Sequence, residues 1–415
     1  MGLASVFVDL RPLKQSVPFR RLWAGNFVSG VGGTMANFTV TWLVWSRTHS
    51  AIAVGLIGVA QLVPMIVFTL LGGHWADRYD RRTLIIIVRW TQLAAAAAMT
   101  ITALTTTHAV WCFYVVIACE SALASISQPV TQAFIGTLLA GEVRSAALAL
   151  NHTTGQLTVL IGPLVAGFVV AGFGPVWTLV FNTLSFAAAI YGVFGLPRLG
   201  RPAAEELEAG ADAPSALAQI AAGIRFVTKT PIIAALLLAD LNAMVVAMPY
   251  ALYPVLNAER FGGSPVTLGM LGPAFGLGGV LMGFLSGRIT RARRQGLVMV
   301  VASAAWGVAV CAGGLIPSFA GVLAALAVAG AADVASVVSR TSIIQAVTPD
   351  TYRGRVSALD FLVGAGGPQL GNLRAGAVAQ FTSGWFSMAA GGAVSAVLAV
   401  VIAVSVPALR RYRAG

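Results

Sequence analysis

Twelve stretches of apolar residues, each long enough to cross a lipid bilayer, run through this chain of 415 residues. A hydrocarbon core about 30 Å thick needs about 20 such residues in a helix. A window of about 19 residues places the candidate spans at 22–46, 51–75, 83–107, 110–139, 145–172, 175–196, 231–256, 265–287, 296–316, 319–346, 355–380 and 385–407. Backbone polar groups inside lipid must be bonded within their own segment or in a closed barrel, and spans of this length are helices. Composition serves to exclude the alternatives. A net charge of +12 in a soluble protein points to nucleic acid, but here 58% of residues are hydrophobic and only 10% are charged. A nucleic-acid binder spreads its basic residues over a solvated face. The cysteines, Cys112, Cys119 and Cys311, all fall in apolar stretches and read as small buried hydrophobes.

The basic residues report topology instead. Lys and Arg are retained on the cytoplasmic side of a membrane. One alternating set of connections holds 21 of them, from Arg11, Lys14, Arg20 and Arg21 at the start to Arg410, Arg411 and Arg413 at the end; the opposite set holds Arg47 and Arg260. Both termini are therefore expected in the cytoplasm, in a multi-pass protein of the inner or plasma membrane. Residues 1–18 carry Asp9, Arg11 and Lys14 and lack the apolar core of a cleavable signal, so the first span is expected to act as its own insertion signal.

The hydrophobic pattern is interrupted once, at 197–230, by Pro197, Pro202, Glu205, Glu206, Glu208, Asp212 and Pro214. This segment is expected to be a cytoplasmic linker between a first bundle, 1–196, and a second, 231–415. From Ser215 to Lys229 the linker places Leu217, Ile220, Ile224 and Val227 on one helical face. That helix either lies along the inner membrane surface or extends the seventh span. Two landmarks recur with nearly the same offset: Gly73 to Arg82 is echoed by Gly283 to Arg294, and Gly162-Pro163 with Gly167 by Gly367-Pro368 with Gly371. Such recurrence argues for a duplicated six-helix unit.

Gly73-His74-Trp75-Ala76-Asp77-Arg78-Tyr79-Asp80-Arg81-Arg82 resembles motif A of the major facilitator superfamily. Most members carry a second glycine where Asp80 stands. Ile161-Gly162-Pro163-Leu164-Val165-Ala166-Gly167 resembles motif C, the fifth-helix signature of the antiporter branches. The stretches Gly172 to Trp177, Asn182 to Phe186 and Gln345 to Val356 are similar to siderophore exporters of the enterobactin type and to macrolide efflux pumps. The resemblance implies an all-α membrane protein, with twelve transmembrane helices in two pseudo-symmetric six-helix bundles. It implies that Gly73, Asp77, Arg78, Arg81 and Arg82 form a gating loop that latches the outward-open state through Asp77. In the second copy Gly287 stands where the aspartate belongs, so only the first half keeps the latch. The residues themselves place Asp77 near the start of the third helix, where free N–H groups favour an anion, and leave Asp80 free to pair with Arg81, Arg82 or Arg144. Gly162, Pro163 and Gly167 suit a kink and close packing; Gly367-Pro368, Pro249 and Pro254 are further candidate bending points.

Seven ionisable residues fall inside spans: Glu120, Asp240, Asp333 and Asp360, with Arg89, Arg340 and Arg374. Each needs a partner, a cavity or a proton, because a charge at bilayer depth costs about 2.5–3.5 kcal/mol on insertion scales. At about 1.5 Å per residue, Glu120, Asp240 and Asp333 fall near the midplane, Asp360, Arg89 and Arg340 in the cytoplasmic third, and Arg374 towards the outside. In the resembled fold, helices one, four, seven and ten line the cavity, which puts the three midplane acids on cavity helices. They are the candidates for proton coupling or substrate contact, with Gln128 and Asn242 among their polar neighbours. Asn37, Trp42, Gln61, Tyr250 and Tyr253 complete that set. Each acid has a structural alternative, an ion pair with Arg89, Arg340 or Arg374 that only joins helices.

Other classes lack their residues. No G-x-x-x-x-G-K-[ST] loop cradles a nucleotide, and His49, His74, His108 and His152 show no metal spacing and no catalytic set. The sequence therefore points to a secondary transporter, neither enzyme nor receptor, with no cofactor or metal and no nucleic-acid or nucleotide partner. Its partners would be protons, the lipid bilayer and an amphipathic small molecule such as a drug, macrolide or siderophore, exported by a chain working as a monomer. The alternative is uptake of a small solute by proton symport.

Overall fold

The computed structural model describes residues 9–105, 109–197 and 216–413, without the side chains of 70–78 and 216–220. The long helices are α1 (Val17–Thr48), α2 (Ala51–Arg78), α3 (Arg81–Thr105), α4 (Trp111–Leu138), α5 (Gly141–Phe173) and α6 (Pro175–Phe194). After a linker helix (Ala216–Lys229) come α7 (Pro231–Arg260), α8 (Pro265–Thr290), α9 (Gln295–Leu315), α10 (Phe319–Val347), α11 (Asp350–Phe381) and α12 (Gly384–Ser405). Of these, α7 is interrupted; the others are continuous. No strand occurs among the described residues.

Ten of these helices are long and apolar enough to cross a membrane. The two that fall short in apolarity, α1 and α11, are 32 residues each, amply long. Their polar positions explain the shortfall: Asn26, Asn37, Thr39 and Thr41 in α1, and Asp360, Gln369, Asn372 and Arg374 in α11. Prolines open α6, α7 and α8 at their first turns, where a missing N–H costs nothing and the fixed φ suits the helix. The helices carrying Pro163 and Pro368 run through these residues without a break in helical assignment.

The described chain forms two compact units. One holds α1 to Leu43, α2 from Ala60, and α3 to α6; the other holds Val44–Val59 and everything from the linker helix onward. In the first, Trp23 Nε1 donates to Thr154 Oγ1 (2.8 Å), and Thr34 Oγ1 to the Thr158 carbonyl (2.9 Å), tying α1 to α5. In the second, Gly278 of α8 and Gly330 of α10 bring two backbones together. A Cβ at Gly278 would stand 1.7 Å from the Ala327 carbonyl oxygen, and one at Gly330 1.9 Å from that of Phe275. Small residues of this kind let membrane helices approach closely.

Two expectations change here. Asp77 does not open the third helix: α2 continues through Arg78, which puts Asp77 in its last turn. Asp80 takes the capping position instead. Its Oδ2 accepts from the Thr83 backbone N–H at 3.0 Å and from Thr83 Oγ1 at 2.8 Å, satisfying an N–H that the helix cannot. No pairing of Asp80 with Arg81, Arg82 or Arg144 is formed. Glycine also caps helices, whereas alanine does so poorly. Asp80→Ala is therefore expected to cost about 1 kcal/mol and Asp80→Gly a few tenths, read as the thermal midpoint of purified protein.

The linker helix is separate from α7, because Thr230 leaves helical geometry (φ −117°, ψ 89°) before Pro231. Its Phe226 stacks on Tyr352 of α11 with centroids 4.3 Å apart, and Val227 is buried with Ile233, Leu236 and Leu359. Of the expected apolar face, Val227 packs on protein and Ile224 stays exposed; the side chains of Leu217 and Ile220, and residues 198–215, lie outside the described residues. The cysteines are not buried: Cys119 is exposed, and Cys112 and Cys311 are partly so.

Candidate functional site

The intramembrane charges sort themselves by what they touch. In the second unit, Arg340 of α10 forms ion pairs with Asp240 of α7 and, at 3.1 Å from its Nε, with Asp360 of α11. Asp240 was expected as a midplane acid with no basic residue nearby on its own helix. Its partner comes from another helix, one hundred residues along the chain. Side-chain exposure is 4% at Asp240, 6% at Arg340 and 22% at Asp360. The surroundings are aliphatic: Leu236, Leu237, Ile343, Ile344 and Leu359 belong to the same core. One guanidinium thus serves two carboxylates in a largely buried setting, where such a pairing holds only with close geometry.

Directly beyond Asp240 the helix changes. Pro231–Leu241 is α-helical, Asn242–Val246 is a π turn, Tyr250–Leu252 is a 3₁₀ turn and the α-helix resumes at Tyr253. The freed backbone groups are met by side chains from neighbouring helices, as lipid requires. Arg374 Nε donates to the Val245 carbonyl at 3.2 Å, and the Ala251 N–H donates to Asn372 Oδ1 at 3.1 Å. Asn242 Nδ2 donates to the Ser395 carbonyl (3.0 Å) and Oγ (3.1 Å) of α12. Gly367 and Gly371 lie against Met244 of the turn. Arg374 therefore forms no ion pair among the described residues but braces the break, and Asn242 is turned towards α12. The role of Asn372 was not anticipated; a polar residue one turn from Gly367-Pro368, in a span with other polar positions, was the available signal.

Asp333, two turns from Arg340 on α10, makes no ion pair among the described residues. Tyr250 of α7 lies near it. A run of aromatic rings continues from there: Tyr253 to Tyr250 at 5.5 Å, Tyr250 to Phe275 at 5.9 Å and Phe275 to Trp306 at 5.4 Å, all edge to face. Such contacts stabilise by about 0.5–1.5 kcal/mol each, and they run from Tyr250 into the core, where Tyr253 and Trp306 are buried.

In the first unit, Glu120 of α4 comes up to the Asn182 amide of α6. The contact falls short of a formed hydrogen bond, leaving Glu120 Oε1 and both polar atoms of Asn182 buried without hydrogen-bond partners among the described residues. Arg89, 7% exposed, is held by neutral groups: Nη1 donates to Gln92 Oε1 at 2.9 Å and Nη2 to Asn26 Oδ1 at 2.6 Å. Gln128 is exposed on α4. Gly162 presses on Thr34, whose Oγ1 would lie 1.9 Å from an added Cβ, and Gly167 is buried. At the loop of Gly73 to Arg82, Arg82 Nη2 donates to the Phe194 carbonyl at 3.0 Å and fastens α3 to α6, whereas Arg81 Nε has no hydrogen-bond partner among the described residues. The side chains of Gly73, Asp77 and Arg78 lie outside the described residues.

A broken seventh span, close-packed glycine contacts and unpaired intramembrane acids are what a solute carrier would present. The comparisons agree. The chain is 27% identical over 414 residues to the enterobactin exporter of Shigella boydii, covering all of this chain and 97% of the relative, and 26% identical to that of Escherichia coli with the same coverage. Among solved structures, a POT family transporter in complex with 5-aminolevulinic acid superposes with a TM-score of 0.73 at 10% identity, over 95% of this chain and 97% of the other. The nucleoside transporter NupG superposes at 0.67 and 13%, over 95% and 100%. These likenesses show the fold. Residues 8–414 match the transmembrane secretion effector family. The chain belongs to that family and is a membrane transporter of the major facilitator type.

Proposed function

We propose that the protein is a proton-coupled exporter of an amphipathic small molecule, working by alternating access between its two six-helix halves with both termini in the cytoplasm. The carrying observation is the pair of acids without a cation: Glu120, with a buried and unpartnered oxygen, and Asp333. An acid at membrane depth is neutralised by a cation or by a proton. Neither of these two pairs with a cation among the described residues, and a proton can be taken up on one side of the membrane and released on the other. Asp77 and Arg78 would close the cytoplasmic gate. Export as the direction is supported by the relatives named as enterobactin exporters. An aromatic, partly apolar cargo is supported by Tyr250 and Phe275, the partly exposed members of the ring run near Asp333, since ligand sites are mostly apolar with a few placed polar groups.

The test uses inside-out vesicles made acidic within, offered enterobactin, a macrolide and a dye-like organic cation in parallel. At least one is expected to accumulate, and the double variant Glu120→Gln/Asp333→Asn is expected to lose the accumulation. If the variant accumulated cargo as fast as the parent, the coupling residues would lie elsewhere.

A further inference from the structure

Resting on the proton coupling just proposed, we propose that Asp240, Arg340 and Asp360 form a single proton-exchange site in the second unit, separate from Asp333, with Asp360 as its point of entry. The charge count motivates it. One aspartate suffices to balance Arg340, so joining α7 to α10 needs no third member. The second carboxylate leaves the cluster one negative charge in excess inside a membrane span, where an uncompensated charge is unfavourable. One proton, adding to a carboxylate to give a carboxylic acid, brings the cluster to neutrality. Loss of that proton restores the excess charge.

Geometry assigns the entry. Asp360 is the most exposed of the three, at 22% against 4% and 6%, and Arg340 stands between it and Asp240. A proton taken by Asp360 frees the guanidinium to bind Asp240 alone; a proton passed to Asp240 releases α7 from α10. Asp240 stands two residues before the π turn, and single π turns inside helices recur at functional positions. Change at the cluster therefore falls at the joint of α7. The other ionisable groups on the surrounding elements are engaged elsewhere or face outward. Asp350 pairs with Arg353, and Arg355 lies over the Tyr352 ring. Arg374 braces Val245. Arg225 and Lys229 of the linker helix, and Arg410 and Arg411 after α12, are exposed. Tyr412 packs at the edge of the aliphatic core, and Asp333 is seven residues away on α10.

The experiment follows protons and needs no cargo. Purified full-length protein is titrated with pH while difference infrared spectroscopy records the carbonyl stretch of protonated carboxylic acids. One titrating band is expected to vanish in Asp360→Asn and equally in Asp240→Asn, because either leaves a balanced acid–arginine pair. It is expected to persist in Glu120→Gln and in Asp333→Asn. Retained thermal midpoints in Asp360→Asn would separate this loss from unfolding, and Arg340→Lys, which keeps the charge, should keep the band at a shifted midpoint. If both Asp→Asn variants kept every titrating band, the cluster would be a structural joint and the proposal wrong, whatever the vesicles show. If the band vanished as expected but the parent showed no gradient-driven accumulation, the site would stand and the proton-coupled export reading would fall.

Discussion

Alanine at Gly278 or at Gly330 is expected to prevent accumulation of folded protein. In each case the added methyl would stand within 2 Å of a backbone carbonyl oxygen on the facing helix, and neither that carbonyl nor the helix bearing it can swing aside like a side chain. The helices must part, and everything packed along α8 and α10 must follow. Overpacking of ordinary cores costs about 1–3 kcal/mol; a backbone obstacle puts these two at or above the top of that range. The measurement is the yield of monodisperse protein in detergent and its thermal midpoint. Gly136→Ala is the control, since nothing lies within 4 Å of its added Cβ. It should leave both readings unchanged or slightly improved, because alanine is favoured over glycine in a helix by about 1 kcal/mol.

Arg340→Leu should be as damaging for an electrostatic reason. It strands two carboxylates among leucine and isoleucine side chains, and breaking a buried pair costs about 3–5 kcal/mol, mainly through the charge left behind. The decisive companion is the triple variant Arg340→Leu/Asp240→Leu/Asp360→Leu. Apolar replacement of a whole buried ion cluster is often neutral or stabilising, so the triple variant should regain most of the lost stability. Thermal unfolding of the three proteins side by side tests this. If the triple variant were no more stable than Arg340→Leu, the cost would lie in the shape of the arginine and not in the charges.

The spans were legible because lipid imposes one rule on every segment at once, and apolar runs of sufficient length have no other use. Thus α9 was expected at 296–316 and is found at Gln295–Leu315. Partnerships were harder to read. Asp240 has no cation on its own helix, and nothing local announces that Arg340 arrives beside it when α7 and α10 pack. Arg89 sits with Asn26 for the same reason: the pairing depends on how two helices are rotated, which a linear pattern does not encode. Arg374 reads as half of an ion pair because the turn at Asn242–Val246, ahead of the prolines that mark a bend, has no signal of its own. The run Ile232 to Val246 is apolar almost throughout and reads as uninterrupted helix, with Pro249 and Pro254, both beyond it, as the warnings. At Asp80 the departure from the family's glycine was visible, but the choice between pairing and capping depended on where α2 ended.

That break also bears on how the protein is made. The α-helical pieces of the seventh span, 11 and 8 residues, are each too short to cross a bilayer, so the segment enters the membrane as one apolar stretch. The side chain that later braces it, Arg374, follows Val245 by 129 residues. At about 5–20 residues per second, the ribosome delivers Arg374 on the order of ten seconds after the turn it will hold. During that interval the nascent seventh span has either a regular helix or an unsupported turn. Its final shape is thus a late event of synthesis, complete only when the eleventh span supplies Arg374 and Asn372 and the twelfth supplies Ser395.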